Sequence, residues 1–455
     1  MKKTLLSASA FALVAVSSMA LAPTKAEAIP AFARQTGAAC LSCHFQQFPA
    51  LNAYGRMFKE GSFTDVGDEA LVEGENLSIP AVLNATFVVR AQAVHTSNGT
   101  LPANTTAATS STAYTIPADQ NLLIAGRAGS NTGVFVEFGP GPAAVSGTTA
   151  TAGGGANGQG GINNIQVMNS FDLGGFKAGI SYANTSFGAD AILAVNSVYG
   201  QHSGVMNNFG DVSAVNNSGL TNQWSNIGAW VGNDMGFIQV GLIAPGSVVG
   251  GGNNIGLKMA KLVKVAGTFD LGGFDTIIGA GTVAGKIGKT SGTVTQAANA
   301  DMQWVYGQMQ GDLGDMSLGV YADWAHAKGK AGGNVMGAND MGTALAATNT
   351  LAGMNSITSG DKFDAYSLRA TLAPTRRTLV GIGYGYRKTS IAAAGATVAN
   401  SNKHQLIELG ASYMIYQNNI LSLTYQNDKV TWGTAPTGNV NGNIKTTTLD
   451  YLIML

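Results

Sequence analysis

After Pro80, hydrophobic and polar residues alternate along the chain. Leu83, Ala85, Phe87, Val89, Ala91 and Ala93 share one parity, while Asn84, Thr86, Arg90 and Gln92 share the other. A period of two sends successive side chains to opposite faces of a strand. The pattern therefore predicts one lipid face and one wet face, although a β-sandwich strand alternates too. The last stretch repeats it, with Leu449, Tyr451, Ile453 and Leu455 set against Thr448 and Asp450.

Between these ends, Asp, a small apolar residue and Gly recur ahead of fresh alternating runs. They stand at Asp172-Leu173-Gly174-Gly175, Asp234-Met235-Gly236, Asp270-Leu271-Gly272-Gly273 and Asp312-Leu313-Gly314-Asp315. Such residues accept the dihedrals of tight turns, so these sites read as hairpins. Further tight turns are expected near Ser130, at Pro374-Thr375-Arg376-Arg377 and at Asn418-Asn419. Longer links rich in Gly, Ala, Ser, Thr and Asn fall around Thr105, Gly154, Asn207, Ala331 and Gly438.

Alternating short and long connections are the periplasmic turns and extracellular loops of outer-membrane barrels. From about Ala81 to Leu455 the strands number roughly sixteen, of the ~10-residue length that spans a bilayer when tilted. An even count returns both chain ends to the side of the short turns, the periplasm. The expected fold is all-β, an antiparallel outer-membrane β-barrel with a small helical segment before it. Many such barrels end in an aromatic residue, whereas this chain ends in Leu455.

Composition supports that class. The 455 residues include 62 Gly, 11% are charged and the formal net charge is zero, against about 25% charged in an ordinary soluble domain. This suits either a secreted repetitive all-β protein or a barrel whose outer face is hidden in lipid. A nucleic-acid partner would need a basic surface that a zero balance does not supply.

The N-terminus reads as an export leader. Lys2 and Lys3 precede an apolar run from Leu5 to Leu21, followed by Ala26-Glu27-Ala28 as a small-residue cleavage site. The leader is the only run long and apolar enough to be a membrane helix. Three regions result: residues 1–28 as signal peptide, 29–78 as a haem-bearing segment and 79–455 as the barrel.

Within the second region, Cys40-Leu41-Ser42-Cys43-His44 spells C-x-x-C-H, the attachment pattern of a covalent c-type haem. Two thiols three positions apart reach two vinyl groups on one porphyrin edge, and the adjacent imidazole meets the iron. Cys40 and Cys43 are thus expected to form thioethers and His44 to be an axial ligand, giving one covalent haem c. A redox disulfide would need a βαβ context. A structural zinc needs four ligands, and the chain has two cysteines and five scattered histidines.

The flanking residues suggest a pocket. Pro49 suits the first turn of a helix, and Leu51, Tyr54 and Phe58 follow on one apolar face, set either against the porphyrin or on the barrel wall. Met57 is the local candidate for a sixth ligand, with simple packing as its ordinary alternative; His95 and an open or water-bound site are the others. Arg34 and Arg56 either pair with haem propionates or are solvated.

Ile29-Pro30-Ala31-Phe32-Ala33-Arg34-Gln35-Thr36-Gly37, leading into the haem motif and then Phe48-Pro49-Ala50-Leu51-Asn52, resembles the N-terminus of the fused monohaem cytochrome-porins. These are outer-membrane proteins of iron-oxidising bacteria. The rest of the chain is similar to them in architecture, size and composition. The resemblance implies a haem domain on the periplasmic side of a porin-like barrel or within its lumen. It also implies electron transfer from extracellular ferrous iron to a periplasmic cytochrome or other soluble carrier.

Other functions remain open at this point. A diffusion porin or transporter could carry a structural or sensory haem segment, and an electron conduit could run outward. A haem peroxidase would need distal acid–base groups that residues 40–63 do not supply. Asp211, Asp301, Asp340 and Asp361 lie in or beside expected outer loops, either as oxygen ligands for ferrous iron or as solvated surface. His202, His326 and His404 show no ligand spacing and read as ordinary polar residues.

Overall fold

The computed structural model describes residues 30–75, 77–98, 110–139, 162–184, 212–220, 224–245, 257–291, 294–337, 356–391, 400–416, 418–434 and 438–455. The expected leader, Asp211, Asp340, His202 and the links around Thr105, Gly154 and Asn207 lie outside these residues.

Three helices open the chain: α1 (Pro30–Thr36), α2 (Cys40–Cys43) and α3 (Ala53–Glu60). A hairpin of β1 (Leu71–Gly74) and β2 (Leu77–Pro80) follows. Next come β3 (Ala85–Asn98), β4 (Ser110–Arg127), β5 (Thr132–Phe138), β6 (Ile162–Asp172) and β7 (Lys177–Ala183). A short helix α4 (Ala214–Asn217) precedes β8 (Trp224–Asn233), β9 (Gly236–Pro245), β10 (Ala260–Asp270) and β11 (Asp275–Ala284). A separate hairpin, β12 (Lys286–Ser291) and β13 (Val294–Asn299), leads to β14 (Met302–Leu313), β15 (Met316–Lys328), β16 (Lys362–Thr375) and β17 (Thr378–Ile391). The chain ends with β18 (Asn400–Tyr416), β19 (Asn419–Thr434) and β20 (Gly438–Met454).

Strands β3–β11 and β14–β20 form one closed antiparallel barrel of sixteen strands, sealed where β20 pairs with β3. Closure leaves no unpaired edge in the ring. The expected tight turns all join neighbouring strands, and where Asp172 and Asp270 begin them, the following glycine pairs take φ values of 60° and 93° or 66° and 87°. Only glycine adopts such dihedrals without strain. β3 begins and β20 ends at this same turn end.

Parity separates two surfaces. Ile238, Ile278, Leu368 and Ile382 point outward and are more than half exposed. The opposite parity buries Gln239, Gln308, Asp323, Arg369, Glu408 and Asp450 toward the interior. An apolar exterior, a polar interior and an even strand count describe a transmembrane barrel of the outer-membrane kind. Exposed aromatics rim both ends of the apolar band, with Phe171, Phe269 and Tyr413 at the turn end and Trp324 and Tyr366 toward the loops, where the half-buried Tyr386 stands beside Tyr366.

Gly438, expected inside a long link, is instead the first residue of β20. Strands β18, β19 and β20 run 17, 16 and 17 residues, so this wall extends beyond the ~10 residues a bilayer requires.

The N-terminal segment is seated inside the turn end of the barrel. Ala31 N donates to Thr86 Oγ1 at 3.0 Å, and Gln35 Oε1 accepts from Arg127 N at 2.8 Å. Gln46 Nε2 donates to Ser317 O at 2.6 Å and its Oε1 accepts from Thr371, while Ser412 Oγ donates to Gln47 Oε1 at 2.6 Å. Arg56 pairs with Asp275. These partners lie on β3, β4, β11, β15, β16 and β18, so the segment is held from several sides. Phe32, Phe58 and Phe63 form its aromatic core, their centroids 5.1–5.7 Å apart, and Phe135 of the wall stands 6.4 Å from Phe32.

Candidate functional site

The C-x-x-C-H residues occupy one helical turn and the bend that ends it. His44 N donates to Cys40 O at 2.9 Å, closing α2, and His44 itself is extended at φ −107°, ψ 139°. The chain then doubles back: Phe45 N donates to Ala50 O at 2.8 Å and Asn52 N to Cys43 O at 3.0 Å. Asn52 joins both helices. Its Oδ1 accepts from Gly55 N at 2.9 Å, capping α3, while its Nδ2 donates to Ser42 O at 2.9 Å. Gly55 packs against the carbonyl of Cys43, where any side chain would overlap that oxygen.

The expected helix after the motif therefore starts at Ala53 rather than at Pro49. Asparagine is a preferred N-cap because its side chain satisfies a free backbone N–H. Pro49 lies in the folded-back loop instead.

Neither cysteine is in a disulfide and both are partly exposed. Burial pushes the Cys43 thiol upward. His44 is buried, and that burial pushes its pKa down to about 4 against the opposing hydrogen bonds from Ala50 and Pro49. Its Nδ1 lies 3.3 Å from Ala50 O. With a proton on Nδ1 facing that carbonyl, the lone pair stays on Nε2, the arrangement a neutral histidine ligand requires.

This donor set fits a covalent haem: two thiols on one turn, an adjacent neutral imidazole oriented by a carbonyl, and large apolar side chains left open nearby. Leu41, Tyr54 and Met57 are 39%, 41% and 46% exposed. The Tyr54 phenol is pushed up by desolvation first, then by neighbouring Cys43 and Asp65.

The remaining expected pocket residues divide. Phe58 is buried in the aromatic core, so the face it was expected to share with Tyr54 is split between interior and surface. Arg56 is paired with Asp275, and Arg34 donates to the carbonyl of Ala85. Both arginines thus tie the segment to the wall. His95 lies ten positions beyond Ala85 on β3, about 30 Å along the strand, with Nδ1 2.9 Å from Thr112 Oγ1. Gln35, Gln46 and Gln47, which position the segment, carry no spacing signal. Their one sequence cue is amide polarity in an aromatic stretch.

The outer carboxylates serve local structure. Asp301 pairs with Lys330 at 2.8 Å, and Asp361 accepts from Thr358 N at 2.6 Å. His326 and His404 contact Asp364 and Asp428 at 2.7 and 2.8 Å. Among the described residues, no three His, Cys, Asp or Glu side chains gather into a metal site.

No protein-family model matches this chain, and no curated protein matches it. Solved structures similar to it include the outer-membrane-expressed OmpT, an outer membrane channel and OccK2. OmpT of Vibrio cholerae is 12% identical over 85% of this chain and 100% of that one, with a TM-score of 0.42. The outer membrane channel DcaP of Acinetobacter baumannii is 11% identical over 82% and 97%, at 0.46. OccK2 of Pseudomonas aeruginosa is 10% identical over 82% and 98%, at 0.40.

Proposed function

We propose that this protein is an outer-membrane electron-transfer protein holding one haem c on Cys40 and Cys43, with His44 as axial ligand. It takes electrons from extracellular ferrous iron and passes them to a soluble periplasmic carrier. The observation that carries this reading is a C-x-x-C-H turn with a buried, carbonyl-oriented histidine, seated in the turn end of a bilayer-spanning barrel. When bound, the haem supplies a one-electron couple of the same kind as ferrous/ferric iron.

The chain's own residues do the positioning. Ala50 orients His44 through Nδ1, and Asn52 locks the motif to α3. Gln46, Gln47 and Arg56 fasten the segment to three parts of the wall. The polar inner face suits a hydrated cation better than an apolar solute. A redox centre housed this way permits oxidation outside and delivery inside, since electrons do not cross a bilayer unaided.

The test adds ferrous iron anaerobically to detergent-purified, oxidised protein near its working pH. Sharp ferrous c-haem absorbance bands are expected on mixing. Reduction by dithionite but not by ferrous iron would remove iron as the donor. The polar inner wall also favours a second reading, a diffusion porin, for which stable conductance steps in a planar bilayer are the corresponding measurement.

A further inference from the structure

The outward face of β15–β19 carries a lysine band that the electron-transfer reading does not use. Trp324, Tyr366 and Tyr386 are directly paired across β15, β16 and β17, and the two tyrosine rings stack 4.9 Å apart. One step toward the loops, His326, Asp364, Lys388 and Lys403 form the next paired row. Beyond it, Lys328 pairs directly with Lys362, and Lys429 stands on β19 beside this band. Parity with exposed Trp324, Tyr366, Ile382, Ile407 and Leu423 points all five lysines outward.

Two features make this an anion site rather than a scatter of solvated charges. Lys328–Lys362 and Lys388–Lys403 are like charges placed directly opposite, an arrangement that is unfavourable without a counter-ion. Asp364 directly faces Lys388 on its other side and its Oδ1 lies 2.7 Å from His326 Nδ1, so within these rows one carboxylate stands against the facing lysine pairs. The height is also telling. From Thr378 to Lys388 is ten residues, which at ~3.3 Å per residue and a tilt of ~40° rises about 25 Å, the height of an outer-membrane apolar band. The lysines therefore stand where headgroups begin. The described outward positions of β3–β9 at that end carry no Lys or Arg, so the charge is one-sided.

We propose that the outward face of β15–β19 binds the phosphate groups of lipid headgroups in the outward leaflet, using Lys328, Lys362, Lys388 and Lys403 above the Trp324–Tyr366–Tyr386 row and Lys429 in line with it. Lys403 Nζ already lies 5.6 Å from the centre of the Tyr386 ring, holding one ammonium at the aromatic level. The proposal rests on the bilayer-spanning reading of the barrel and is independent of haem.

The experiment places the full-length protein in phosphatidylcholine nanodiscs containing a diphosphorylated glycolipid, its dephosphorylated form or neither, and counts retained lipid by native mass spectrometry. Selective retention of the phosphorylated form is expected. K328Q/K362Q/K388Q/K403Q should lower it by at least about tenfold, each lysine near a charged surface being worth ~1 kcal/mol. K261Q, at the same end of β10, should not change it. In neutral detergent K388Q/K403Q should melt above the parent, because the facing charges are gone. Equal retention of the dephosphorylated lipid, undiminished retention by the quadruple variant, or displacement by millimolar inorganic phosphate alone would each overturn the proposal. Should the variant not fold, the parent still decides: retention must fall as salt rises.

Discussion

Asn52 and Gly55 show how few atoms hold the candidate site in shape. One side chain caps α3 and grips the turn bearing the cysteines, and one missing side chain lets α3 lie against the Cys43 carbonyl. Met57 lies two positions beyond Gly55, about 200° round α3 from the side that meets the Cys43 carbonyl, and is nearly half exposed. If it is the sixth ligand, Met57→Ala leaves the haem attached and lowers its reduction potential, because a thioether favours ferrous iron. A redox titration reads this directly, and an unchanged potential removes Met57 from the ligand set. The C-x-x-C-H spacing is local, and the structure folds it as one helical turn ending at His44. The roles of Arg34 and Arg56 were not legible in the sequence, since their partners, Ala85 and Asp275, are supplied by distant strands.

Short connections proved the most readable elements. Asp followed by a small residue and Gly encodes a turn within three or four positions, and the glycine dihedrals at residues 174–175 and 272–273 show why. The start of α3 was displaced from Pro49 to Ala53 by a capping side chain, a competition that apolar spacing does not register. The helix α4 and the β12–β13 hairpin passed unseen. Four residues of helix carry no periodicity, and a hairpin beside the ring alternates like the strands within it. Seating of the N-terminal segment has its own test on β5. At Gly133 a side chain would overlap the Ser62 carbonyl, so Gly133→Ala should push residues 61–64 off the wall at a cost of about 1–3 kcal/mol. Faster proteolysis within residues 30–64, with the barrel still running as a folded band on an unheated gel, is the expected result. Unchanged protection would mean the segment is seated elsewhere.

The ring as a whole was legible because sixteen repeats of one alternation leave few other ways to bury apolar surface. What the alternation could not say is that residues 30–64 sit inside the ring. The Ser412–Gln47 hydrogen bond joins positions 365 apart, beyond any local pattern. Closure itself depends on the latest part of the chain, because β3 finds its second neighbour only in β20. Deleting residues 438–455 should therefore abolish the folded, heat-modifiable species altogether rather than yield a smaller pore, and a folded truncated product would contradict that seam. Seen as manufacture, the seam is a completeness check. A chain cut short before β20 leaves β3 and its own last strand with unpaired edges, so a sealed ring reports that the final strand is present.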